Sequence, residues 1–165
     1  MNLELSSTSE DYLETIYHIE IKKKVVRPKD ISKAQNVAKS TVTAALQNLA
    51  EKRLINYEPY EVITLTDEGR NEAERIAVRH TIIKRFLQDV LRLKPEQADD
   101  TACKMEHTVD QNVLERFVCF LAFLRRHSPD GARWLDDFRR FLNSGTNGQS
   151  CKKCIKEYMN ELRAN

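Results

Sequence analysis

Glycine and proline are scarce in this chain, four of each among 165 residues. Helix-forming residues dominate instead, which predicts a mostly α-helical protein. No apolar run approaches the roughly 20 residues of a membrane span. The first residues, Met1 to Ser7, lack a basic stretch followed by an apolar one, so no signal peptide is expected. That points to the cytoplasm, and away from structural disulfides although four cysteines are present. Charge of one sign is also lacking overall: the formal net charge is +2. With 41% hydrophobic and 32% charged residues, the composition excludes a disordered chain and fits one domain or two small ones.

The near-neutral total hides a local excess. From Lys22 to Arg53 there are nine Lys or Arg against two acids, Asp30 and Glu51. Such a segment can face phosphate, or simply be a solvated surface. Its surroundings favour the first. Ser9 to Glu20 has helical periodicity with Leu13, Ile16 and Tyr17 as its stripe, and Ser9 as the expected N-cap. Pro28 to Gln35 reads as a short helix with proline in its first position. After a tight turn at Asn36-Val37, Ala38 to Lys52 reads as a second helix with Val42, Leu46 and Leu49 inward. Two helices about a short turn, the second polar at its front, form a helix-turn-helix. Arg27, Lys39, Ser40, Thr41, Thr43 and Gln47 are the candidate DNA contacts. Leu54 to Tyr57 and Val62 to Thr66 read as two strands, a hairpin placed as a wing.

A long helix capped at Thr66 or Asp67 should run to about Leu91, and another should start at Pro95. The second carries Cys103, Glu106 and His107, at i, i+3 and i+4 on one helix face. A thiolate, a carboxylate and an imidazole at one point suit a transition metal better than catalysis. A buried cysteine beside a solvated Glu and His is the other reading of that spacing. Three ligands do not fill a coordination sphere. Asp11 and Glu14, one turn apart on the first helix, and His80 on the long helix are candidates for the rest. No general base stands out beyond these ligands, which argues against an enzyme.

The apolar residues of the long helix (Ile82, Ile83, Phe86, Leu87, Val90) and of the helix after Asp110 exceed what one layer can bury, so a second subunit is expected. Cys119, between Val118 and Phe120, reads as a buried core cysteine. Trp134, Leu135, Phe138 and Leu142 stripe a further short helix. Asn143 to Ser150 is a linker by composition. Cys151-x-x-Cys154 is half of a tetrahedral metal site, or a redox pair.

Several stretches together resemble the diphtheria-toxin-repressor and manganese-transport-regulator family. They are Ser9-Glu10-Asp11-Tyr12-Leu13-Glu14-Thr15-Ile16-Tyr17, Leu65-Thr66-Asp67-Glu68-Gly69, Arg79-His80 with Arg85-Phe86-Leu87, and Cys103-x-x-Glu106-His107. They keep the family's order and spacing over about residues 6 to 125. The resemblance implies a winged-helix DNA-binding domain over residues 1–75 and a helical metal-binding and dimerisation domain over 76–143. Residues 144–165 are left as a linker with the CxxC and a last helix. It implies a homodimer on a palindromic operator of metal-homeostasis genes, activated by a divalent ion. Asp11, Glu14, His80, Glu106 and His107 match the manganese regulators' ligands, whereas Cys103 matches the iron-responsive repressors. Lys84 and Asp99 stand where the iron group keeps ligands of an ancillary site, so that site is expected to be absent or altered. The mixed set predicts iron(II) first, with manganese(II) the alternative, and binding of cobalt, nickel or zinc in vitro. The competing function is a winged-helix regulator sensing oxidation through Cys151 and Cys154.

Overall fold

The computed structural model describes residues 5–58, 61–126, 131–144, 156–157 and 160, with backbone alone at 125, 126, 131, 132, 134, 143 and 144. Among them are seven helices and one two-stranded hairpin, as a mostly α winged-helix protein requires.

Helix α1 spans Ser7–Lys23. Its N-cap is Ser6, not the expected Ser9: the Ser6 hydroxyl accepts from the Ser9 backbone N–H at 3.3 Å. Ser9 lies inside the first turn and reaches Asn48 instead. Lys24 ends α1 in the left-handed region. Helix α2 (Pro28–Gln35) starts on its proline and ends at Asn36, also left-handed at φ 53°, a conformation asparagine tolerates. Helix α3 (Lys39–Glu51) follows, and Val42, Leu46 and Leu49 are buried as the periodicity predicts.

The wing strands are shorter than expected: β1 is Ile55–Asn56 and β2 is Thr64–Leu65, antiparallel, with Ile55 opposite Leu65. The reason is a change of partner. Ile63 leaves the hairpin ladder and donates its N–H to the Val26 carbonyl at 3.0 Å. Ile63 and Val26 are thereby buried and stitch the wing to the chain before α2.

Helix α4 (Asp67–Asp89) is capped by Thr66, whose hydroxyl accepts from the Gly69 N–H and donates to the Arg53 carbonyl. Gly69 has no alternative here. A Cβ on it would stand 1.8 Å from the Leu54 carbonyl oxygen. α4 passes through both hydrophobic clusters of the molecule. Ala73 and Ile76 join the first, with Leu13, Ile16, Ile31 and Leu46; Ile83 and Leu87 join the second, with Ala98, Ala102 and Leu114. The boundary expected at 75/76 thus falls inside one continuous helix.

Helices α5 (Pro95–Glu106) and α6 (Gln111–Arg126) complete the second cluster, and α7 spans Gly131–Ser144. Phe86 of α4 stacks on Phe117 of α6 at 4.2 Å between centroids. Along these two helices Val78, Val118 and Phe123 remain exposed, and an open groove of about 550 Å³ lies between them. Cys119 lines that groove and is exposed in the single chain, contrary to its reading as a core residue. No described helix is long and apolar enough to cross a membrane.

Candidate metal centre

Three helices bring the predicted ligands together. α1 supplies Asp11 and Glu14, α4 supplies His80, and the end of α5 supplies Cys103, Glu106 and His107. The ligand atoms of Asp11, Cys103 and Glu106 lie within 4.8 Å of one another, and so do those of Glu14, His80 and Glu106. Glu106 belongs to both groups and is only 1% exposed. One of its oxygens bonds His80 Nδ1 at 2.7 Å; the other, Oε1, is buried without a hydrogen-bond partner. An unsatisfied buried carboxylate oxygen is costly. Here it faces the Nε2 of His107 at 3.6 Å, beyond bonding distance. A cation coordinated by this set would satisfy it, so the residues present fit a metal ion.

His107 caps α5 and joins both sides of the site. Its Nε2 meets Asp11 Oδ1 at 2.9 Å, and its Nδ1 meets Glu10 Oε2 at 2.6 Å. Glu10 was not among the sequence candidates. It precedes Asp11 in an acidic first turn, where a carboxylate needs no further explanation, and its partner is 97 residues away. Arg75 of α4 stands 4.0 Å from Glu10 and bonds Glu72, which fixes the carboxylate from behind. Imidazole ligands commonly give their second nitrogen to a carboxylate in this way.

Crowding of acids shapes the protonation of the cluster. Burial pushes the carboxyls of Asp11 and Glu106 up, against the lowering pull of His107 on the first and His80 on the second. The Glu106 hydrogen bond raises His80. Burial opposes protonation of His107, but Glu10 and Asp11 outweigh it and its value is raised. Burial, then Glu106 and Asp11, push the Cys103 thiol up to about 11. All five shifts favour the protonated state, so the cluster holds protons that a cation would displace.

Beside this cluster, Lys84 Nζ lies 2.5 Å from Asp99 Oδ1, and His80 Nε2 is 3.3 Å from the same oxygen. The Lys84 ammonium is thus paired with the Asp99 carboxylate.

The candidate DNA contacts do not share one groove: Thr41 lines the cleft between α1 and α3 with Ser9 and Asn48. Arg27, Lys39, Ser40, Thr41 and Gln47 are exposed, while Thr43 is half-buried and bonds its hydroxyl to the Lys39 carbonyl. Arg27 and Lys39 line one groove with Lys29 and the wing residues Tyr57, Glu58 and Glu61. Cys151 and Cys154 lie outside the described residues.

A winged helix-turn-helix bolted to a helical unit through a ligand cluster is the architecture of a metal-responsive DNA-binding regulator. Comparison with known proteins agrees. The iron dependent repressor N-terminal DNA binding domain matches residues 4–63, and the iron dependent repressor metal binding and dimerisation domain matches residues 66–136. An uncharacterized HTH-type transcriptional regulator of Methanocaldococcus jannaschii is 38% identical over 118 residues, 71% of this chain and 94% of that one. The transcriptional regulator MntR of Salmonella typhimurium is 36% identical over 118 residues, 72% of this chain and 73% of that one. A solved manganese-dependent transcriptional repressor in complex with manganese has a TM-score of 0.65 at 28% identity, covering 70% of this chain and 53% of that one. T. acidophilum IdeR, with a TM-score of 0.65 at 24% identity over 72% of this chain and 56% of that one, bears on the fold alone. The chain spans about half the length of these solved structures. The chain belongs to the iron-dependent repressor family of metal-dependent transcriptional regulators, which are not enzymes.

Proposed function

We propose that the chain represses metal-homeostasis genes as a homodimer on a palindromic operator, in response to a divalent ion held by Asp11, Glu14, His80, Cys103, Glu106 and His107. The observation that carries this reading is the buried, half-satisfied carboxylate of Glu106, shared by two ligand groups. When bound, the ion supplies the positive charge that Asp11, Glu14 and Glu106 lack. Without it their mutual repulsion works against the contact between α1 and α5. With that contact closed, α1 holds the helix-turn-helix against α4. In a dimer the two α3 helices then take a fixed separation, about 34 Å for one turn of DNA. Arg27 and Lys39 meet phosphate, while Ser40, Thr41, Thr43 and Gln47 are the base-reading group. The exposed apolar groove along α4 and α6 fits the dimer interface.

The same reading divides the chain into a DNA-binding unit (1–75), a metal-binding and dimerisation unit (76–143) and a tail (144–165), in a cytoplasmic protein. Iron(II) is the ion of choice, because the Cys103 thiolate is a softer ligand than manganese prefers. A second reading, manganese(II), is favoured by the three surrounding carboxylates and by similar solved structures described as a manganese-dependent repressor and a manganese regulator. The redox alternative rests on Cys151 and Cys154, outside the described residues.

The test is DNA binding by the purified chain with and without iron(II) or manganese(II), anaerobically. Metal-stimulated binding is expected for the wild type and not for Glu106→Gln or His107→Ala, which should still dimerise. Unchanged stimulation in both variants would sink the site assignment.

A further inference from the structure

Asp11 faces two ways. Its carboxylate meets His107 at the α1–α5 contact, while its backbone carbonyl points to α2 and accepts a hydrogen bond from Gln35 Nε2 at 3.2 Å. The same amide nitrogen donates to Thr15 Oγ1, one turn further along α1. Gln35 is the last residue of α2, and Asn36 beside it makes the left-handed turn that leads into α3. That turn is closed locally: the Ser32 hydroxyl donates to the Val37 carbonyl at 2.6 Å, and the Val37 N–H donates to the Ser32 carbonyl at 3.1 Å. A rigid turn attached to α1 by one polar strut therefore lies between a metal ligand and the front of the recognition helix.

The apolar core alone does not fix this register. Leu13 and Ile16 of α1 pack on Ile31 and Val42, but apolar contacts are non-directional and tolerate small sliding. A hydrogen bond with two acceptors one turn apart is directional and marks one position along α1. Both acceptors sit on the turn that bears Asp11 and Glu14.

Resting on the functional reading above, we infer that Gln35 is a positioning residue that transmits the state of the metal centre to the helix-turn-helix. It touches neither ion nor DNA. It ties the ligand-bearing turn of α1 to the turn before α3, so that closing α1 onto α5 sets the attitude of α3. Its removal should leave both binding events intact and weaken the link between them. The link is a coupling between sites, so it can be read from either side: the factor by which metal raises DNA affinity equals the factor by which DNA raises metal affinity.

The experiment uses the full-length chain, manganese(II), and a duplex enriched by the metal-loaded wild type from a random-sequence pool. Gln35→Ala and the near-isosteric Gln35→Met are compared with the wild type. Metal affinity without DNA and DNA affinity without metal should stay at wild-type levels, with the melting temperature lowered by only about 2–4 °C, the usual cost of one hydrogen bond in a chain of this size. The metal-stimulated gain in DNA affinity should fall about fivefold, the worth of one ordinary hydrogen bond, and the DNA-stimulated gain in metal affinity should fall equally. Should Gln35→Ala not fold, Gln35→Met carries the test, because it keeps the volume and loses the donor. An unchanged gain in a folded variant overturns the inference while the functional reading stands. Equal losses with and without metal overturn it too, since they would show a purely structural role. A wild type whose DNA binding ignores metal overturns the functional reading, and the relay with it.

Discussion

Glu10 and His107 stand 97 residues apart in the chain and meet at 2.6 Å, carboxylate to ring Nδ1. The contact turns Nε2 toward Asp11 and Glu106. In the proposed site Glu10 is therefore the support of a ligand rather than a ligand. Glu10→Ala is expected to lower metal affinity by about 10- to 100-fold, the usual cost of losing such support. Glu10→Gln keeps an acceptor and should lose less. Chelator competition with manganese(II) measures both, and an affinity within twofold of wild type in Glu10→Ala would remove this role.

Protons and metal compete for the same atoms. Asp11, Glu106, His80, His107 and Cys103 are all shifted upward in the folded chain. Metal affinity should therefore fall as pH falls, with proton release on binding, including the Cys103 thiol proton. The metal-free chain should show the opposite trend. A group raised in the folded state stabilises it while protonated and loses that contribution as pH rises through the raised value. The metal-free melting temperature is thus expected to be higher near pH 6 than near pH 8, and the order should reverse with saturating metal. Parallel pH dependence of the two forms would contradict the displacement of protons by the ion.

In the proposed ligand set Cys103 is the one soft donor. Cys103→Glu replaces the one thiolate by a fourth carboxylate and should lower the ratio of iron(II) to manganese(II) affinity. With cobalt(II), the wild type should show a sulfur-to-metal charge-transfer band that the variant lacks. A ratio that does not fall, or a wild type without the band, rules out the thiolate as ligand.

Lys39 opens α3 beside Arg27 and the wing. If it neutralises one phosphate, Lys39→Ala should weaken binding to all sequences alike and flatten the salt dependence by about one unit of slope. A salt titration by fluorescence anisotropy checks it; unaltered slope and affinity would take Lys39 out of the interface.

The elements were legible in sequence because each has a local cause. Pro28 and Pro95 start helices, Thr66 caps one, and Val42, Leu46 and Leu49 recur at helical spacing. The six candidate positions stood out because Cys103, Glu106 and His107 share one helix face and Asp11, Glu14 and His80 offered the donors that three ligands lack; the structure brings Asp11, Cys103 and Glu106 into one group and Glu14, His80 and Glu106 into another, with His107 against Asp11. What was hidden is long-range or depends on an alternative of equal local merit. Ser6 and Ser9 are equally good caps by type, and only the backbone path chose Ser6. Ile63 reads as hairpin, but its partner is Val26. Cys119 reads as core because its neighbours are apolar, yet Cys119 and Val118 are exposed in the single chain while Phe120 packs against Phe86. Glu10 and Gln35 act through partners that no local pattern announces.

The continuity of α4 carries a last consequence. At 3.6 residues per turn, one residue inserted between Ile76 and Ile83 would rotate everything beyond it by about 100°. Ile76, buried in the first cluster, and Ile83, buried in the second, now lie on nearly one face of α4 and would no longer do so. The span from Ile76 to Ile83 is thus a measured length of rod, in which an insertion or deletion should uncouple metal binding from DNA binding while sparing the fold of either half.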